Sequence, residues 1–536
     1  VVASRGSRNA PLLMAADRCG DFRVTSVIDE RSAAFIALGI AEITCNAVAL
    51  ICTSGTALLN YAPAIAEAYY RNIPLIVISA DRQAEWIDQN DSQTIRQPGA
   101  LTAIVKGSYA FNGETENETG KWFVNRTLNE ALTSALNGPK GPVHINIALA
   151  MPLTGETEAS DEPFRKICLL TPDERISTEK ARHLAKELQG KRVLIFGGIT
   201  PPDARLNRAM EILGSLSDVT VMAEGLANLH CGNMIWNPET VMSHLSDEEA
   251  ETLRPDVAIT FGGAPTGTAW KKRMRQWKPE RQWHVGVNGR VIDTYTGLTM
   301  RIEIPPEGFF PRLASAMRHL AKGETGESYN HKWNGYAAGI TTYSAKADWS
   351  APVAVRELLK SMPEGWNLQL SNGMSIRYAL MNDLRKFHRI DCNRGVSGID
   401  GSLSTAVGAS MVYPRPTLLI TGDMSAQYDI GALASTAFDS RLKIVVINNG
   451  GGGIFNFVKT TATLPERDRL FKCDLRLPLK QLAEGFGMRY VRATDSQSLC
   501  VASETLTTET RRPVIVEVVT DAETDARIMK QLLGEK

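Results

Sequence analysis

Short apolar segments recur along this chain, and each ends in a glycine or a polar residue before a longer segment with helical spacing follows. In the first third of the chain, the apolar segments are residues 24–28, 47–52, 74–78 and 143–147. Strands that alternate with helices form parallel sheets that are covered by helices on both faces. The pattern therefore predicts an α/β fold of doubly wound parallel sheets.

The same pattern occurs twice more along the chain. The apolar segments are residues 192–196, 219–222, 257–261 and 284–287, and then residues 368–372, 418–421, 443–447 and 513–519. Because 536 residues are too many for one hydrophobic core, we expect three consecutive domains. The predicted domains are residues 1–155, 176–321 and 349–536, with polar linkers at residues 154–175 and 322–348.

The first residues have the pattern of a strand that has already begun. Residues 1–4 run directly into Gly6, Ser7, Arg8 and Asn9, with no helix or strand before them. We therefore expect the sequence to begin partway into its first domain, which would lack its first helix.

Charge, cysteine content and hydropathy limit the partners of the protein. Lysine plus arginine and aspartate plus glutamate number 59 each, so no overall field attracts nucleic acid or an anionic membrane. The eight cysteines are scattered without a CxxC pair, which is typical of a reducing compartment. No apolar stretch has the length of a membrane span, and the first residues lack a signal-peptide pattern. We expect a cytoplasmic protein that binds no nucleic acid.

Two polar segments in the last third of the chain follow neighbouring apolar strands. Gly422 and Asp423 follow one strand, and residues 448–451 follow the next. Open α/β sheets bind ligands at the carboxyl ends of their strands. A carboxylate, an amide and glycine carbonyls are too few for a full cage, which suits Mg²⁺ that also binds water and a phosphate. The segments predict a metal-diphosphate site; the alternative is that Asp423 caps a helix and Asn448 with Asn449 forms a turn.

Glu30 stands where the first apolar strand meets a helical segment. On its own it is an acidic residue at a helix start, where the helix dipole favours it. Other polar and cationic groups also follow strands of the first domain, in residues 53–57, 79–82 and 93–99. Glu30 is therefore a candidate member of a site at this edge of the first sheet.

The chain has a glutamate at the end of a strand near its start, and Gly-Asp and Asn-Asn segments near its end. This combination resembles the pattern of thiamine-diphosphate enzymes. The sequence is most similar to the menaquinone-pathway 2-succinyl-5-enolpyruvyl-6-hydroxy-3-cyclohexene-1-carboxylate synthases, and the resemblance spans nearly the whole chain. The matching segments, in order, are residues 6–12, 29–31, 53–56, 80–82, 95–99, 393–401, 422–423 and 448–455.

The resemblance implies a cofactor, a metal and an oligomer. Glu30 matches the catalytic glutamate that hydrogen-bonds the pyrimidine ring of thiamine diphosphate, and Ile399 matches the residue that supports the bent cofactor. The implied ligands of Mg²⁺ or Mn²⁺ are Asp423, Asn449 and the carbonyl of Gly451. The remaining implied cofactor positions are Ser54, Gly55, Thr56, Gly422 and Ile454. In this family the glutamate and the metal site come from different subunits, which implies a homodimer or homotetramer.

The resemblance also implies the substrates, because the family decarboxylates 2-oxoglutarate and transfers the succinyl unit to isochorismate. Arginine forks suit the carboxylates of both compounds. Arg377 matches the residue that binds the succinyl carboxylate, and Phe455 could line the pocket. The residues implied for isochorismate are Ser7, Arg8, Arg82, Gln93, Lys272, Arg273 and Arg394. Surface solvation is the alternative for any one of these cations, and a core role is the alternative for Ile454 and Phe455.

Two positions depart from the family pattern. Arg5 stands where the family usually has proline, and Gly373 stands where it often has serine. The second change could cost one hydrogen bond to the substrate, about 0.5–1.5 kcal/mol. The alternative functions are another thiamine-diphosphate-dependent 2-oxo acid decarboxylase or carboligase, such as an acetohydroxyacid-synthase relative, and a non-catalytic homologue.

Overall fold

The computed structural model describes residues 1–113, 117–151, 153, 164–321, 328–340, 347–435, 438–472 and 477–534. Residues 154–161 of the first predicted linker and Cys473 lie outside the described residues. The described residues form three parallel sheets that follow one another along the chain. The predicted α/β class with three doubly wound sheets is therefore confirmed.

The first sheet has six parallel strands in the order β2-β1-β3-β4-β6-β5. Its strands are β1 (Val2–Ala3), β2 (Thr25–Ser26), β3 (Val48–Cys52), β4 (Leu75–Asp81), β5 (Ser108–Asn112) and β6 (Val143–Ala148). Its helices are α1 (Ala10–Arg18), α2 (Glu30–Thr44), α3 (Thr56–Asn60), α4 (Ala62–Arg71) and α5 (Glu118–Leu136). Strand order reverses between β1 and β3, and such a switch point leaves a crevice at the carboxyl ends of the strands.

The central sheet has five parallel strands in the order β11-β10-β9-β7-β8. Its strands are β7 (Val193–Gly197), β8 (Val219–Ala223), β9 (Val257–Phe261), β10 (Arg281–Val285) and β11 (Met300–Ile302). Its helices are α6 (Thr178–Leu188), α7 (Ala204–Gly214), α8 (Pro238–His244), α9 (Asp247–Thr252), α10 (Thr268–Trp277), α11 (Pro306–Leu320) and α12 (Tyr329–Gly339). Stacked rings of Phe196 and Trp270, with centroids 4.0 Å apart, pack α10 onto this sheet.

The third sheet has six parallel strands in the order β13-β12-β14-β15-β17-β16. Its strands are β12 (Asn367–Leu370), β13 (Arg389–Cys392), β14 (Thr417–Gly422), β15 (Leu442–Asn448), β16 (Arg489–Ala493) and β17 (Val514–Val519). Its helices are α13 (Ala351–Ser361), α14 (Met374–Leu380), α15 (Ser402–Val412), α16 (Asp423–Tyr428), α17 (Ile454–Phe457), α18 (Lys459–Ala462), α19 (Leu479–Gly485), α20 (Ser496–Thr508) and α21 (Ala522–Leu532). Counted within each domain, its strand order is the same as that of the first sheet.

Helices α2 and α15 join the first domain to the third. Their buried residues belong to one continuous apolar cluster that also contains strands of both sheets. A Cβ added to Gly39 of α2 would lie 2.1 Å from the carbonyl oxygen of Thr405, and one added to Gly408 of α15 would lie 2.0 Å from that of Ile36. The two helices therefore approach closely at positions where neither has a side chain.

The second predicted linker contains a helix that packs on the central domain. Tyr329 and Trp333 of α12 are buried in the same apolar cluster as Trp270 and Trp277 of α10. The polar segment predicted as a linker over residues 322–348 therefore contains a helix at residues 329–339. In the part of the chain that the structure describes, no helix is long and apolar enough to cross a membrane.

Candidate active site

Asp423 and the loop after β15, which the sequence predicts as a metal-diphosphate site, lie next to each other. Strands β14 and β15 pair in parallel, so their carboxyl ends lie side by side, as predicted. Asp423 is the first residue of α16, and its Oδ2 accepts the backbone N–H groups of Asn449 (3.1 Å) and Gly451 (2.8 Å). Burial raises the pKa of this carboxyl, and the backbone N–H groups around it act in the opposite direction. A nearby cation would favour the charged carboxylate.

The loop that faces Asp423 has a backbone that only glycine adopts easily. Gly450, Gly451 and Gly452 have φ values of 85°, 88° and 67°. The side-chain amide of Asn449 donates to Asp525 Oδ2 at 3.0 Å, which fixes its orientation. A carboxylate, an amide and closely spaced glycine carbonyls are hard oxygen donors, and they fit a divalent cation that carries a diphosphate. Among the described residues, no three His, Cys, Asp or Glu side chains cluster as a metal site.

Ile399 lies on a loop that is tied directly to this site. The hydroxyl of Ser425, in the helix that Asp423 begins, donates to the carbonyl of Ile399 at 2.6 Å. The Ile399 side chain is 38% exposed in the single chain. The structure therefore brings Ile399 close to α16 and leaves its side chain accessible.

Glu30 begins helix α2 at the carboxyl edge of the first sheet. Asp29 caps the helix by accepting the N–H groups of Arg31 and Ser32. Glu30 is half-buried, and Asn60 donates to its Oε2 at 3.4 Å. Burial, and secondly the charge of Glu30, raise the pKa of the nearby Cys52 thiol. The predicted catalytic carboxyl thus lies beside a buried, neutral part of the first domain.

The residues after β3 are held by a buried glutamine that sequence reasoning did not assign to the site. Gly55, with a φ of 86°, donates its N–H to Gln97 Oε1 at 2.7 Å. Gln97 is fully buried and also donates to the carbonyl of Ala80 and to Asn146 Oδ1. Ser54 is buried, and Thr56 is exposed at the start of α3. The segment 95–99 was among the family-like motifs, and that was the signal for Gln97.

The structure brings Arg8 and Arg82 together at the same edge. Arg8 is 8% exposed and donates to the carbonyl of Leu149 at 3.0 Å. Burial and then the charge of Arg82 lower the pKa of Arg8. Arg82 pairs with Asp91, and its Nε is buried without a hydrogen-bond partner among the described residues. The side chains of Ser7 and Gln93 are exposed. Ser7 lies just before α1, and Gln93 lies in a left-handed turn.

Arg377 lines a cavity of about 620 Å³ between the central and third domains, together with Lys272 and Arg273. Burial and the charge of Arg394 lower the pKa of Arg377. The carboxylates of Glu239 and Glu224 raise it. Arg273 is held by Asp247 Oδ1 and by a backbone carbonyl, both at 2.9 Å, and Lys272 is exposed. Three of the predicted substrate cations therefore meet at one cavity.

Two carboxylates of this cavity were not expected from the sequence. Glu224 accepts the N–H groups of Thr266 and Gly267, and Glu239 accepts those of the first residues of α10. They hold the start of the helix that carries Lys272 and Arg273. A single glutamate before or within a helix gives no signal for such a role, so the sequence could not have shown it.

Arg394 lies on the loop after β13, and its Nη1 donates to Asn372 Oδ1 at 3.1 Å. Its Nε is buried and has no hydrogen-bond partner in the described part of the chain. Arg394 lines a second cavity, of about 550 Å³, between the three domains. Lys271, which the sequence did not single out, is close enough to Arg394 and Arg377 for both charges to lower its pKa, after burial.

Ile454 and Phe455 begin α17 directly after the glycine loop. Ile454 packs on the core of the third domain, and Phe455 is half-buried with its ring 5.3 Å from that of Phe471. Gly373 opens α14 with a φ of 92°, and a Cβ added there would meet no atom within 4 Å. The space at Gly373 therefore has room for the serine of the family pattern, although the left-handed backbone disfavours it.

Two parts of the sequence match family models of thiamine-dependent enzymes, and the fold matches a solved structure. Residues 1–100 match the thiamine pyrophosphate enzyme N-terminal TPP binding domain, and residues 371–518 match the corresponding C-terminal domain. The structure superposes on the crystal structure of benzoylformate decarboxylase from Polynucleobacter necessarius with a TM-score of 0.67. The identity is 15%, and the superposition covers 97% of this chain and 95% of that one. The chain is a thiamine-diphosphate enzyme, as predicted.

Curated relatives define the family within this class. Three proteins named 2-succinyl-5-enolpyruvyl-6-hydroxy-3-cyclohexene-1-carboxylate synthase match nearly the whole chain. They come from Porphyromonas gingivalis (36% identity; 99% of this chain, 93% of the relative), Bacteroides fragilis (35%; 99% and 95%) and Flavobacterium psychrophilum (35%; 97% and 93%). The chain belongs to the 2-succinyl-5-enolpyruvyl-6-hydroxy-3-cyclohexene-1-carboxylate synthase family. The resemblance seen in the sequence and the prediction of a thiamine-diphosphate-dependent transferase are confirmed.

Proposed function

We propose that this enzyme decarboxylates 2-oxoglutarate and transfers the succinyl unit to isochorismate in menaquinone biosynthesis. The observation that carries the substrate assignment is the cavity that Arg377, Lys272 and Arg273 line together. An acidic substrate would give the charges of Arg377 and Lys272 a partner at this cavity, whereas Arg273 is already paired with Asp247. The family membership and this cavity support the proposal over an acetohydroxyacid-synthase-like activity.

We propose that Asp423, Asn449 and the carbonyl of Gly451 hold Mg²⁺, with Mn²⁺ as the alternative, and through it the diphosphate. Thiamine diphosphate, when bound, supplies the nucleophilic carbon and the electron sink for loss of carbon dioxide. The donor set and the left-handed glycine backbone of the loop support this placement. Ser54, Gly55, Thr56, Gly422, Ile399 and Ile454 are the further residues proposed to contact the cofactor.

Glu30 is the proposed catalytic residue. Its carboxyl would hold a proton at a ring nitrogen of the pyrimidine. A half-buried site strengthens this hydrogen bond, because water competes less for the proton. Its contact with Asn60 limits where the carboxyl can point. This role supplies activation of the cofactor and does not select the substrate.

The arginines are proposed to divide the two substrates between them. Arg377 would bind the distal carboxylate of 2-oxoglutarate, because burial strengthens a charge-assisted, two-point contact. The residues proposed for isochorismate are Ser7, Arg8, Arg82, Gln93, Lys272, Arg273 and Arg394, and Phe455 would line the apolar side. Burial and the charge of Arg82 lower the pKa of Arg8, and Asp91 and Asp81 act in the opposite direction; this concentration of cations supports an anionic ligand at this edge.

We also propose that the enzyme is a homodimer or homotetramer with active sites shared between subunits. Ile28 is 70% exposed next to Glu30, and Ile399 is exposed near Asp423. A second subunit that shared these sites would cover both apolar side chains.

The domain limits at residues 1–155, 176–321 and 349–536 and the cytoplasmic location remain predictions. Seven cysteines in the described part of the chain are free thiols, which fits a reducing compartment.

The proposed reaction is tested by measuring carbon dioxide release and product formation with purified enzyme, thiamine diphosphate and Mg²⁺. We expect 2-oxoglutarate with isochorismate to give the coupled product, and 2-oxoglutarate to be preferred to pyruvate by at least about tenfold. Arg377→Gln should remove most of that preference. Equal use of pyruvate by the unaltered enzyme would contradict the proposal and favour a different decarboxylase or carboligase.

A further inference from the structure

Glu67, on helix α4 of the first domain, touches the loop that carries Arg394 in the third domain. Its Oε1 accepts the N–H of Gly395 at 2.7 Å, and its Oε2 accepts the N–H of Val396 at 2.8 Å. Glu67 is 1% exposed. A buried carboxylate that receives two backbone donors is a strong and directional contact. The contact joins residues that are 328 and 329 positions apart in the sequence.

The packing around this contact leaves little freedom to the loop. A Cβ added to Gly395 would lie 2.7 Å from the carbonyl oxygen of Glu67 and 3.0 Å from its Oε2. On the other side, Asn372 donates to the carbonyls of Asn393 (2.5 Å) and Gly398 (2.7 Å) and accepts from Arg394. The loop is thus held between Asn372 of its own domain and Glu67 of the first domain.

The ion pair of Glu67 is a weaker contact than its bonds to the loop. Arg71 lies one helical turn away, and its Nε is 3.9 Å from Glu67 Oε1, whereas the main partner of Arg71 is Glu42. If Glu67 served only the ion pair, its two oxygens would face Arg71. Both oxygens instead accept backbone N–H groups of the residues that directly follow Arg394.

We propose that Glu67 is a positioning residue that fixes the guanidinium of Arg394 for the second substrate. The inference rests on the proposed function of Arg394 in binding isochorismate. The buried and unpartnered Nε of Arg394 is a free donor that a carboxylate ligand would satisfy. Because Glu67 binds the backbone at the two residues after Arg394, it limits where that donor can point.

The test is steady-state kinetics of Glu67→Gln with the full chain, thiamine diphosphate and Mg²⁺, varying each substrate while the other is saturating. The glutamine oxygen can still accept one of the two backbone N–H groups. Its NH2 group is a donor and cannot accept the other. We expect the KM for isochorismate to rise about tenfold and the KM for 2-oxoglutarate to change by less than about twofold. Glu42→Gln is the matched control, because it is also a buried glutamate paired with Arg71 but does not touch the loop.

Arg394→Ala separates the two hypotheses. It should raise the isochorismate KM by itself, and adding Glu67→Gln to it should cause no further rise. An unchanged KM in Arg394→Ala would overturn the proposed role of Arg394, and with it the positioning role. A raised KM in Arg394→Ala with an unchanged KM in Glu67→Gln, or an equal further rise in the double variant, would overturn the role of Glu67 alone.

A second variant keeps the inference testable if Glu67→Gln does not fold. Gly395→Ala places a methyl group against Glu67 from the side of the loop, where the residue is only half-buried. It should reproduce the selective rise in the isochorismate KM. An unchanged KM would show that the loop tolerates loss of this contact and would overturn the inference.

Discussion

Asp423 contacts its own helix and the glycine loop at the same time. It is the first residue of α16, and its Oδ1 accepts the N–H of Met424. Its Oδ2 accepts two N–H groups from the loop after the neighbouring strand. A helix start favours negative charge, and the same charge suits a cation that carries a diphosphate.

Asp423→Asn should weaken the binding of thiamine diphosphate in the presence of Mg²⁺ by about 100-fold, because a metal ligand loses its charge. The affinity is measured by calorimetric titration, with and without Mg²⁺. Asp439→Asn is the control, since that side chain lies on the surface of the same domain and pairs with Arg441. Equal affinities of Asp423→Asn and the unaltered chain would remove Asp423 from the proposed metal site.

The sequence was informative where one residue type in one motif determines the chemistry. Glu30 and Asp423 belong to motifs of this kind: the strand pattern predicted a metal-diphosphate role for Asp423, the family resemblance predicted the role of Glu30, and both roles stay predictions. It was less informative for cations, because a basic helix such as α10 offers several candidates. Lys271 is the one whose pKa responds to Arg377 and Arg394, whereas Arg273 is engaged by Asp247. Which face of α10 meets the cavity depends on packing across domains, which no local pattern encodes.

At the scale of elements, the central strands and the edge strands β2 and β8 were predicted, whereas the edge strands β5, β11, β13 and β16 were not. Strand β9 was predicted to the residue, because it is a continuous buried apolar run. Strands β5 and β16 are edge strands with several exposed or half-buried positions, and their sequences resemble loops. Strand β13 contains a buried ion pair between Arg389 and Asp391, so its composition hides a fully buried strand.

Close packing of α2 against α15 depends on glycine, and Gly39→Ala should destabilise the protein. The added methyl group would meet the Thr405 carbonyl at 2.1 Å, so the two domains must separate slightly. We expect a loss of about 1–3 kcal/mol, seen as a lower thermal unfolding midpoint. Gly335→Ala is the matched control, because Gly335 lies in helix α12 and a Cβ added there would meet no atom within 4 Å. The control should be neutral or slightly stabilising; equal midpoints for the two variants would contradict the packing argument.

Asp429 gives the junction of these helices a dependence on pH. It is fully buried near Arg31 and Asp29, and it accepts the N–H and the hydroxyl of Ser404 in α15. Burial raises its pKa to about 7, against the effect of these bonds. Because the folded-state pKa is above the ordinary value of 3.8, protonation of Asp429 stabilises the folded state. This contribution to stability is complete below pH 3.8 and is lost as the pH rises through about 7.

Asp429→Asn should therefore be more stable than the unaltered chain at pH 8 and similar to it at low pH. The amide can accept the Ser404 N–H and donate to its hydroxyl without a charge to bury. The difference at pH 8 is on the order of 4 kcal/mol. Thermal unfolding midpoints between pH 5 and pH 8 measure it, with Asp439→Asn as the surface control. A constant difference across this range would show that the carboxyl does not titrate there.

At the scale of the whole molecule, the first and third domains repeat one topology, and their strand orders are the same when counted within each domain. Each therefore has a switch point between its first and third strands. At one switch point lie the residues after β3, near Glu30, and at the other lies Asp423 after β14. The repeat could not be predicted from sequence, because three of the strands that define it are short or polar edge strands.

Within one chain, Arg31 contacts one end of α16 and Asp423 begins the other end. Arg31, next to Glu30, donates to the carbonyl of Tyr428 at 2.9 Å and stacks on its ring, 4.8 Å from the centroid. Tyr428 ends the helix that Asp423 begins, and six residues of helix span about 9 Å. We propose, as the family resemblance implies, an active site that combines Glu30 of one subunit with Asp423 of another.

Co-expression of two inactive variants tests that arrangement. Glu30→Gln and Asp423→Asn should each lose nearly all product formation when expressed alone. If sites are shared, a mixed dimer has one site with both changes and one site with neither, so a random mixture should recover about a quarter of the unaltered activity. The double variant Glu30→Gln/Asp423→Asn, co-expressed with either single variant, is the control and should recover none. Equally low activity in the mixture of single variants would place Glu30 and Asp423 of one chain in the same site, because neither mixed subunit would then hold a complete pair.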